Sequence, residues 1–299
     1  MQSYDDLLQR RLRHLKVIHD RSSRAVWVEF KYEKRPCFSR ELIEDVWTVQ
    51  RSIRQAAQSG YQENRDDRLL FQVIASTDKK VFSLGGDLAY FIELIEQEDR
   101  SRLIDYAKRC VDIQYRSITH FQMPFTNIAL IEGEALGGGF EAALSANLLV
   151  AEQRSRFGFP EITFGLFPGM GALSFLLRKV SPGIARRLIM DHRIYTATEL
   201  YEMGVVDILA PDGEGRATVK DYMLHSTSQS PGYYGFQAAV DCALPVDYEE
   251  LHDIVNYWVD AALQLTEKNR RLMAYFARAQ ARRHISLDSM AGIADFQSA

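Results

Sequence analysis

Cysteine is scarce in this 299-residue chain. Cys37, Cys110 and Cys242 are odd in number and widely spaced, with no CxxC pair. That argues against a disulfide framework and a thiolate zinc site, and it suits a reducing compartment. A basic excess is missing too. The net charge is -4, and nucleic-acid binding would call for clustered positive charge. Basic runs such as Arg10, Arg11, Arg13 and Lys16 are interleaved with acidic and apolar residues, as on a solvated helix face. No apolar run reaches bilayer length, and the charged N-terminus has no apolar signal core, so a cytoplasmic protein that does not enter the membrane is expected. The seven histidines have no metal-ligand spacing, and no Ser–His–Asp or Cys–His arrangement is suggested, so no metal and no nucleophile of that kind is assigned. Neither a GxGxxG pattern nor a Walker lysine is present.

What the chain does have is apolar residues, 46% of the total, enough to bury a large core. Its length fits one α/β domain with an added helical part. Leu7, Leu8, Leu12, Leu15 and Ile18 recur at helical spacing and predict an amphipathic helix over residues 4–20. Residues 25–32 (AVWVEFKY) read as a strand. Ser39 is a plausible N-cap for a long helix with Leu42, Val46, Val49, Ile53 and Ala57 on one face. Residues 69–75 and 81–86 read as strands, 87–116 as helical, and 125–132 and 148–151 as strands again. Ser181-Pro182 and the capping box Thr196…Glu199 mark further helix starts. Residues 205–209 read as another strand. Beyond about 215 the pattern is wholly helical, with Leu251, Ile254, Val255, Trp258 and Val259 on one stripe. These readings divide the chain into a helical extension (1–24), a core of short strands, turns and helices (25–214) and a helical region (215–299).

Two glycine turns and two glutamates stand out in the core. Ser83-Leu84-Gly85-Gly86-Asp87 and Leu136-Gly137-Gly138-Gly139-Phe140-Glu141 each stand between a strand and a helix. Glycine lets the backbone approach a ligand, and a helix start leaves amide N–H groups unpaired. One such donor from each turn would make an oxyanion hole. Each turn taken alone also suits an ordinary tight connection. Glu141 lies in the first turn of its helix, and Glu161 follows Pro160 twenty residues later. Either one alone would serve the helix dipole, whereas together they could move protons on one substrate from two sides. An apolar wall of Phe140, Phe157, Phe159, Phe164, Leu166, Phe167 and Met170 would raise a carboxyl pKa by desolvation, or would simply be core.

These motifs carry a resemblance. ALGGGFEAALSANLLVAEQRSRFGFPEITFGLFPGMG closely resembles the signature of the crotonase (enoyl-CoA hydratase/isomerase) superfamily. FSLGGDL stands where that family has its first oxyanion turn, and TATELYEMGVVD resembles its late helix and strand. The resemblance covers about residues 25–210. It implies an α/β fold, the crotonase spiral of repeated ββα units, followed by C-terminal helices that build a homotrimer, often paired into a hexamer. It also implies Glu141 and Glu161 as catalytic residues and an oxyanion hole from Leu84, Gly85 and Gly138, with Gly137 shaping the second turn. Phe140, Phe164, Leu166 and Met170 would line the substrate pocket. No cofactor is implied beyond the phosphopantetheine that carries the acyl group, as CoA or on acyl carrier protein.

Some features depart from an ordinary hydratase: the N-terminal segment, Leu84 and Gly86 in the first turn, Glu132 and Glu134 before the second, and an unfamiliar C-terminal region. Together they resemble a narrower group, the bacterial synthases of diffusible signal factor. Those enzymes dehydrate a 3-hydroxyacyl thioester to a cis-2-enoyl form and hydrolyse it to a free fatty acid signal, and they are restrained by a sensor kinase receiver domain. The alternatives are an ordinary enoyl-CoA hydratase or isomerase, and a non-catalytic scaffold with the same fold. Arg178, Lys179, Arg186 and Arg187 could meet carrier or CoA phosphates, or be a solvated helix face.

Overall fold

The first described strand begins earlier than the helical spacing of the N-terminus predicts. A computed structural model describes residues 12–63, 66–225 and 231–282. In it β1 (Leu15–Asp20) pairs antiparallel with β2 (Ala25–Phe30), Leu15 opposite Phe30. The helix expected over 4–20 is therefore corrected from Leu15 onward, and residues 4–11 lie outside the described residues. Leu15 is buried and Val17 half-buried on alternate positions, as an edge strand places them. The antiparallel pairing with β2, across the short turn of residues 21–24, fixes them as a strand.

From β2 the chain winds. Helix α1 (Arg40–Gln62) leads to β3 (Phe71–Ser76), which lies parallel to β2. Ser39 caps α1 as expected, its side chain accepting from the Leu42 amide, and Leu42, Ile43, Val46, Val49, Ile53 and Ala57 are buried along one stripe. The next units repeat. β3 is followed by β4 (Val81–Ser83), α2 (Leu88–Glu96) and α3 (Arg100–Ile118). β5 (Thr126–Ile131) is followed by β6 (Glu134–Leu136) and α4 (Gly138–Leu144). β7 (Leu148–Glu152) is followed by β8 (Arg156–Gly158) and a 3-10 turn, Pro160–Phe164. Within these units β3, β5 and β7 pair in parallel with one another, and so do β4, β6 and β8. Each ββα turn thus adds one strand to each of two sheets. The sheets have the orders β1-β2-β3-β5-β7-β10 and β4-β6-β8-β9. β9 (Tyr195–Thr196) and β10 (Ile208–Ala210) complete them, with α5 (Ala172–Leu177), α6 (Pro182–Met190) and α7 (Ala197–Glu202) between. Ser181 caps α6, and the capping box Thr196–Glu199 is made.

The single helical stretch expected over 87–116 is two helices. Glu98 takes φ +53° and Asp99 caps α3 through the Arg102 amide, so the chain stops and restarts within three residues. Alternating charge continues across the break and hides it.

Helices α8 (Gly215–His225), α9 (Pro231–Ala243), α10 (Tyr248–Leu263) and α11 (Glu267–Ala281) follow. The six-stranded sheet is buried on both faces. Val26, Val28 and Phe30 of β2 face the main core, while Ala25 and Trp27 face a second cluster closed by Val219 and Met223 of α8. Arg216 fastens that cover. It pairs with Glu29 and Glu132, which are 2% and 4% exposed, and lies over the Trp27 ring. The expected boundary at 214 therefore falls between the sheet and the helix that seals it.

Candidate active site

The first glycine turn follows β4, and its polar backbone atoms can be followed one by one. The Leu84 amide donates to Pro36 O (2.7 Å) and the Gly85 amide to Ser83 Oγ (3.2 Å). Gly85 O accepts from the Phe38 amide (2.8 Å), and the Asp87 amide donates to Tyr106 OH (3.4 Å). Leu84 O and Gly86 O both accept from Gln280 Nε2, at 2.9 and 3.0 Å. The Gly86 N–H is left with no partner among the described residues. This corrects the assignment of Leu84 and Gly85 as oxyanion donors. Their amides are already bonded, and Gly86, one step further on, carries the unpaired N–H. Gly85 keeps a shaping role: it takes φ +92°, and a Cβ on it would stand 3.0 Å from the Gly138 amide nitrogen.

The second turn follows β6. Gly137 takes φ +53°, donates to Gly158 O (2.9 Å) and accepts from the Phe140 and Glu141 amides, which starts α4. The Gly138 N–H belongs to the unpaired first turn of that helix and has no partner among the described residues. A Cβ built on Gly138 would lie 3.3 Å from Gly86 N. The two free amides are therefore neighbours, brought together by the parallel pairing of β4 with β6.

Both glutamates stand at this spot. Glu141, 2% exposed, accepts at Oε1 from the amides of Met170 (2.8 Å) and Ala172 (3.2 Å). Burial pushes its carboxyl up to about 7, against the downward pull of those two bonds. Glu161 sits in the 3-10 turn, with Oε1 over Gly137 where any Cβ would collide with it. Its Oε2 is buried and has no hydrogen-bond partner. Burial first, and the Glu141 charge second, raise Glu161 well above the ordinary carboxylate range. Near neutral pH such a pair holds a proton that two separate carboxylates would not.

The apolar residues expected in the pocket are sealed in the main core. Phe140 stacks on Phe159 (4.8 Å) and packs on Phe157 (5.1 Å); Phe164 packs on Phe276 (5.5 Å); Leu166 and Met170 are buried. They form the dry surroundings of the carboxylates. Phe140, wholly enclosed, is corrected from pocket lining to core, and Met170 meets the site through its backbone amide. Glu132 and Glu134 are not part of the pair. Glu132 is held by Lys79 and Arg216, and Glu134 lies near Arg156, with burial pushing its carboxyl up to about 7. Arg178 and Lys179 are tied internally, to Pro245 O with Glu250 and to Asp207 respectively.

Sequence reasoning missed Gln280. Its one signal is a polar residue continuing the buried α11 stripe Met273, Phe276 and Ala277. Among the described residues no group of histidine, cysteine, aspartate or glutamate side chains could hold a metal ion, and no helix is long and apolar enough to cross a membrane.

A family model described as enoyl-CoA hydratase/isomerase matches residues 49–234. Crotonyl-CoA hydratase of Syntrophomonas wolfei is 28% identical over 193 residues, covering 62% of this chain and 72% of that protein. Among solved structures, enoyl-CoA hydratase from Bacillus halodurans superposes with a TM-score of 0.70 at 19% identity, over 88% of this chain and 99% of that one. DspI of Pseudomonas aeruginosa does so with a TM-score of 0.60 at 22% identity, over 88% and 96%.

Proposed function

The chain belongs to the enoyl-CoA hydratase/isomerase family of the crotonase superfamily, and from that premise we propose that it dehydrates a 3-hydroxyacyl thioester and then hydrolyses the thioester to release a cis-2-unsaturated fatty acid. One observation carries the chemistry: two unbonded glycine amides, Gly86 and Gly138, lie beside two buried glutamates of raised pKa. The thioester oxygen sits between the two N–H groups and gathers charge as the α-proton leaves. Each donor stabilises that charge by about 3 kcal/mol. One carboxylate of the pair takes the α-proton, and the protonated partner gives its proton to the 3-hydroxyl, which departs as water. In the hydrolytic step, water held at the unbonded Glu161 Oε2 attacks the thioester carbonyl, and the thiol leaves with a proton. The acid product and free carrier thiol balance the atoms.

Release of a free acid, as in diffusible signal factor synthesis, is supported by the departures from ordinary hydratases noted in the sequence. The fold shared with the Pseudomonas protein is compatible with it. A cleft of about 280 Å³ adjoins Cys37 beside the first turn; Arg13, Lys31, Lys34 and Arg35 line it with Glu33 and Glu41, Arg13 paired with Glu33 and Arg35 with Asp87, and its remaining basic excess supports an acyl-CoA or carrier phosphate there. The second reading is an ordinary hydratase acting on acyl-CoA, favoured by the name of the Syntrophomonas relative.

The test is product analysis by mass spectrometry and NMR, after incubation with a medium-chain 3-hydroxyacyl carrier protein and with the matching CoA ester. Free cis-2-enoic acid is the expected product. A trans-2-enoyl thioester without free acid would replace this reading with the ordinary hydratase.

A further inference from the structure

The peptide that carries the Gly86 N–H is anchored at its own carbonyl, Gly85 O, by the Phe38 amide (2.8 Å), and the peptides on either side of it are held as well. Gln280 holds both. Its Nε2 donates one N–H to Leu84 O (2.9 Å) and one to Gly86 O (3.0 Å), across 196 and 194 residues of chain. Both partners are carbonyl oxygens, so the side-chain nitrogen must face them, and the amide has one workable orientation. The side chain is 1% exposed, and its Oε1 is buried without a partner. A buried, half-satisfied amide is costly where the stripe of Met273, Phe276 and Ala277 calls for an apolar residue. Helix α11 also supports the other half of the site, through Phe276 against Phe164 and through Asn269 against Gly165, just after the Glu161 turn.

We propose that Gln280 is a positioning residue that fixes the direction of the Gly86 N–H by clamping the carbonyls of Leu84 and Gly86, so that the last described helix completes the oxyanion hole without touching the substrate. This rests on the reading in which Gly86 and Gly138 bind the thioester oxygen. Glutamine fits the task because it offers two N–H donors on one neutral atom. Methionine has similar bulk and no donor. Glutamate has a donor only when protonated.

The test compares the full-length wild type with Gln280→Met, Gln280→Glu and a packing control, Met273→Ala, which loosens the same buried stripe without touching the turn. Gln280→Met is expected to lower kcat by about 10- to 100-fold, with KM within about twofold, because the loss is of transition-state stabilisation. Met273→Ala keeps kcat within about twofold at a temperature where it is folded. Gln280→Glu regains activity relative to wild type as pH falls, since the protonated carboxyl restores one donor. Gln280→Met with wild-type kcat, or a loss matched by Met273→Ala, overturns the positioning role. A Gln280→Met that does not fold moves the decision to Gln280→Glu, and no recovery at low pH then overturns the role. Wild type that turns over no enoyl or 3-hydroxyacyl thioester overturns the functional reading beneath.

Discussion

Replacing Glu141 with glutamine should make the protein more stable at alkaline pH while removing its activity. Burial raises this carboxyl from the ordinary 4.5 to about 7. The folded state therefore binds more protons than the unfolded state between those values, and stability falls as pH rises through the window. The stabilising share is complete below pH 4.5 and gone above the folded value. At about 1.4 kcal/mol per pH unit, the displacement corresponds to about 3 kcal/mol. Glutamine cannot ionise, yet its side-chain oxygen can still accept from the Met170 and Ala172 amides. Glu161 contributes a slope of the same sign, and removing the Glu141 charge shortens its window too, so the two effects reinforce each other. Urea unfolding followed by tryptophan fluorescence, at steps from pH 4.5 to 8, measures the difference. The gap between Glu141→Gln and wild type should widen toward the variant by about 3 kcal/mol across the range. Parallel stability curves would refute the claim that the buried carboxyl is ionised at a cost.

Other substitutions separate structure from chemistry. Arg216→Met leaves Glu29 and Glu132 buried with only Lys16 and Lys79 as partners and should cost about 1.5–3 kcal/mol in urea unfolding. Gly137→Ala forces a Cβ onto φ +53° and into Glu161 Oε1, and kcat should fall by about 100-fold as the carboxylate shifts. Thr196→Ala breaks the α7 capping box and should lower stability by about 1 kcal/mol.

The sequence made the site's parts legible because each has a local signature. Glycine before a helix start, and glutamate within a first helical turn, can be recognised without a fold. The ββα order could be read because short β-branched runs alternate with capped helices. Two things were out of reach for physical reasons. Whether Leu84 or Gly86 offers its amide depends on Pro36 and Phe38, nearly fifty residues away, which take up the neighbouring groups. Gln280 looks like any polar residue late in a helix, and only its burial against a turn 194 residues earlier sets it apart. At the N-terminus the ambiguity was one of period rather than of distance. Leu15 and Val17 fit a helix or a strand by spacing, and pairing with β2 makes them a strand. Phe140 read as pocket or core with equal justice until its contacts with Phe157 and Phe159 decided for core.

Helix α8 governs where this chain can be cut. Beneath it lie Ala25, Trp27, Phe71, Val73, Ile128, Leu130 and Val150, a continuous apolar face on parallel strands. A fragment ending in the acidic loop near residue 214 would bare that face and take from Glu29 and Glu132 the arginine they share, leaving them only Lys16 and Lys79. Exposed apolar faces of this breadth associate, so such a fragment would precipitate. A fragment reaching past His225 keeps Val219, Met223 and Arg216 in place and with them the seal. Sealing this second face thus takes a piece one helix longer than the strands, while the main core still needs Leu251, Val255, Trp258, Met273 and Phe276 from helices α10 and α11.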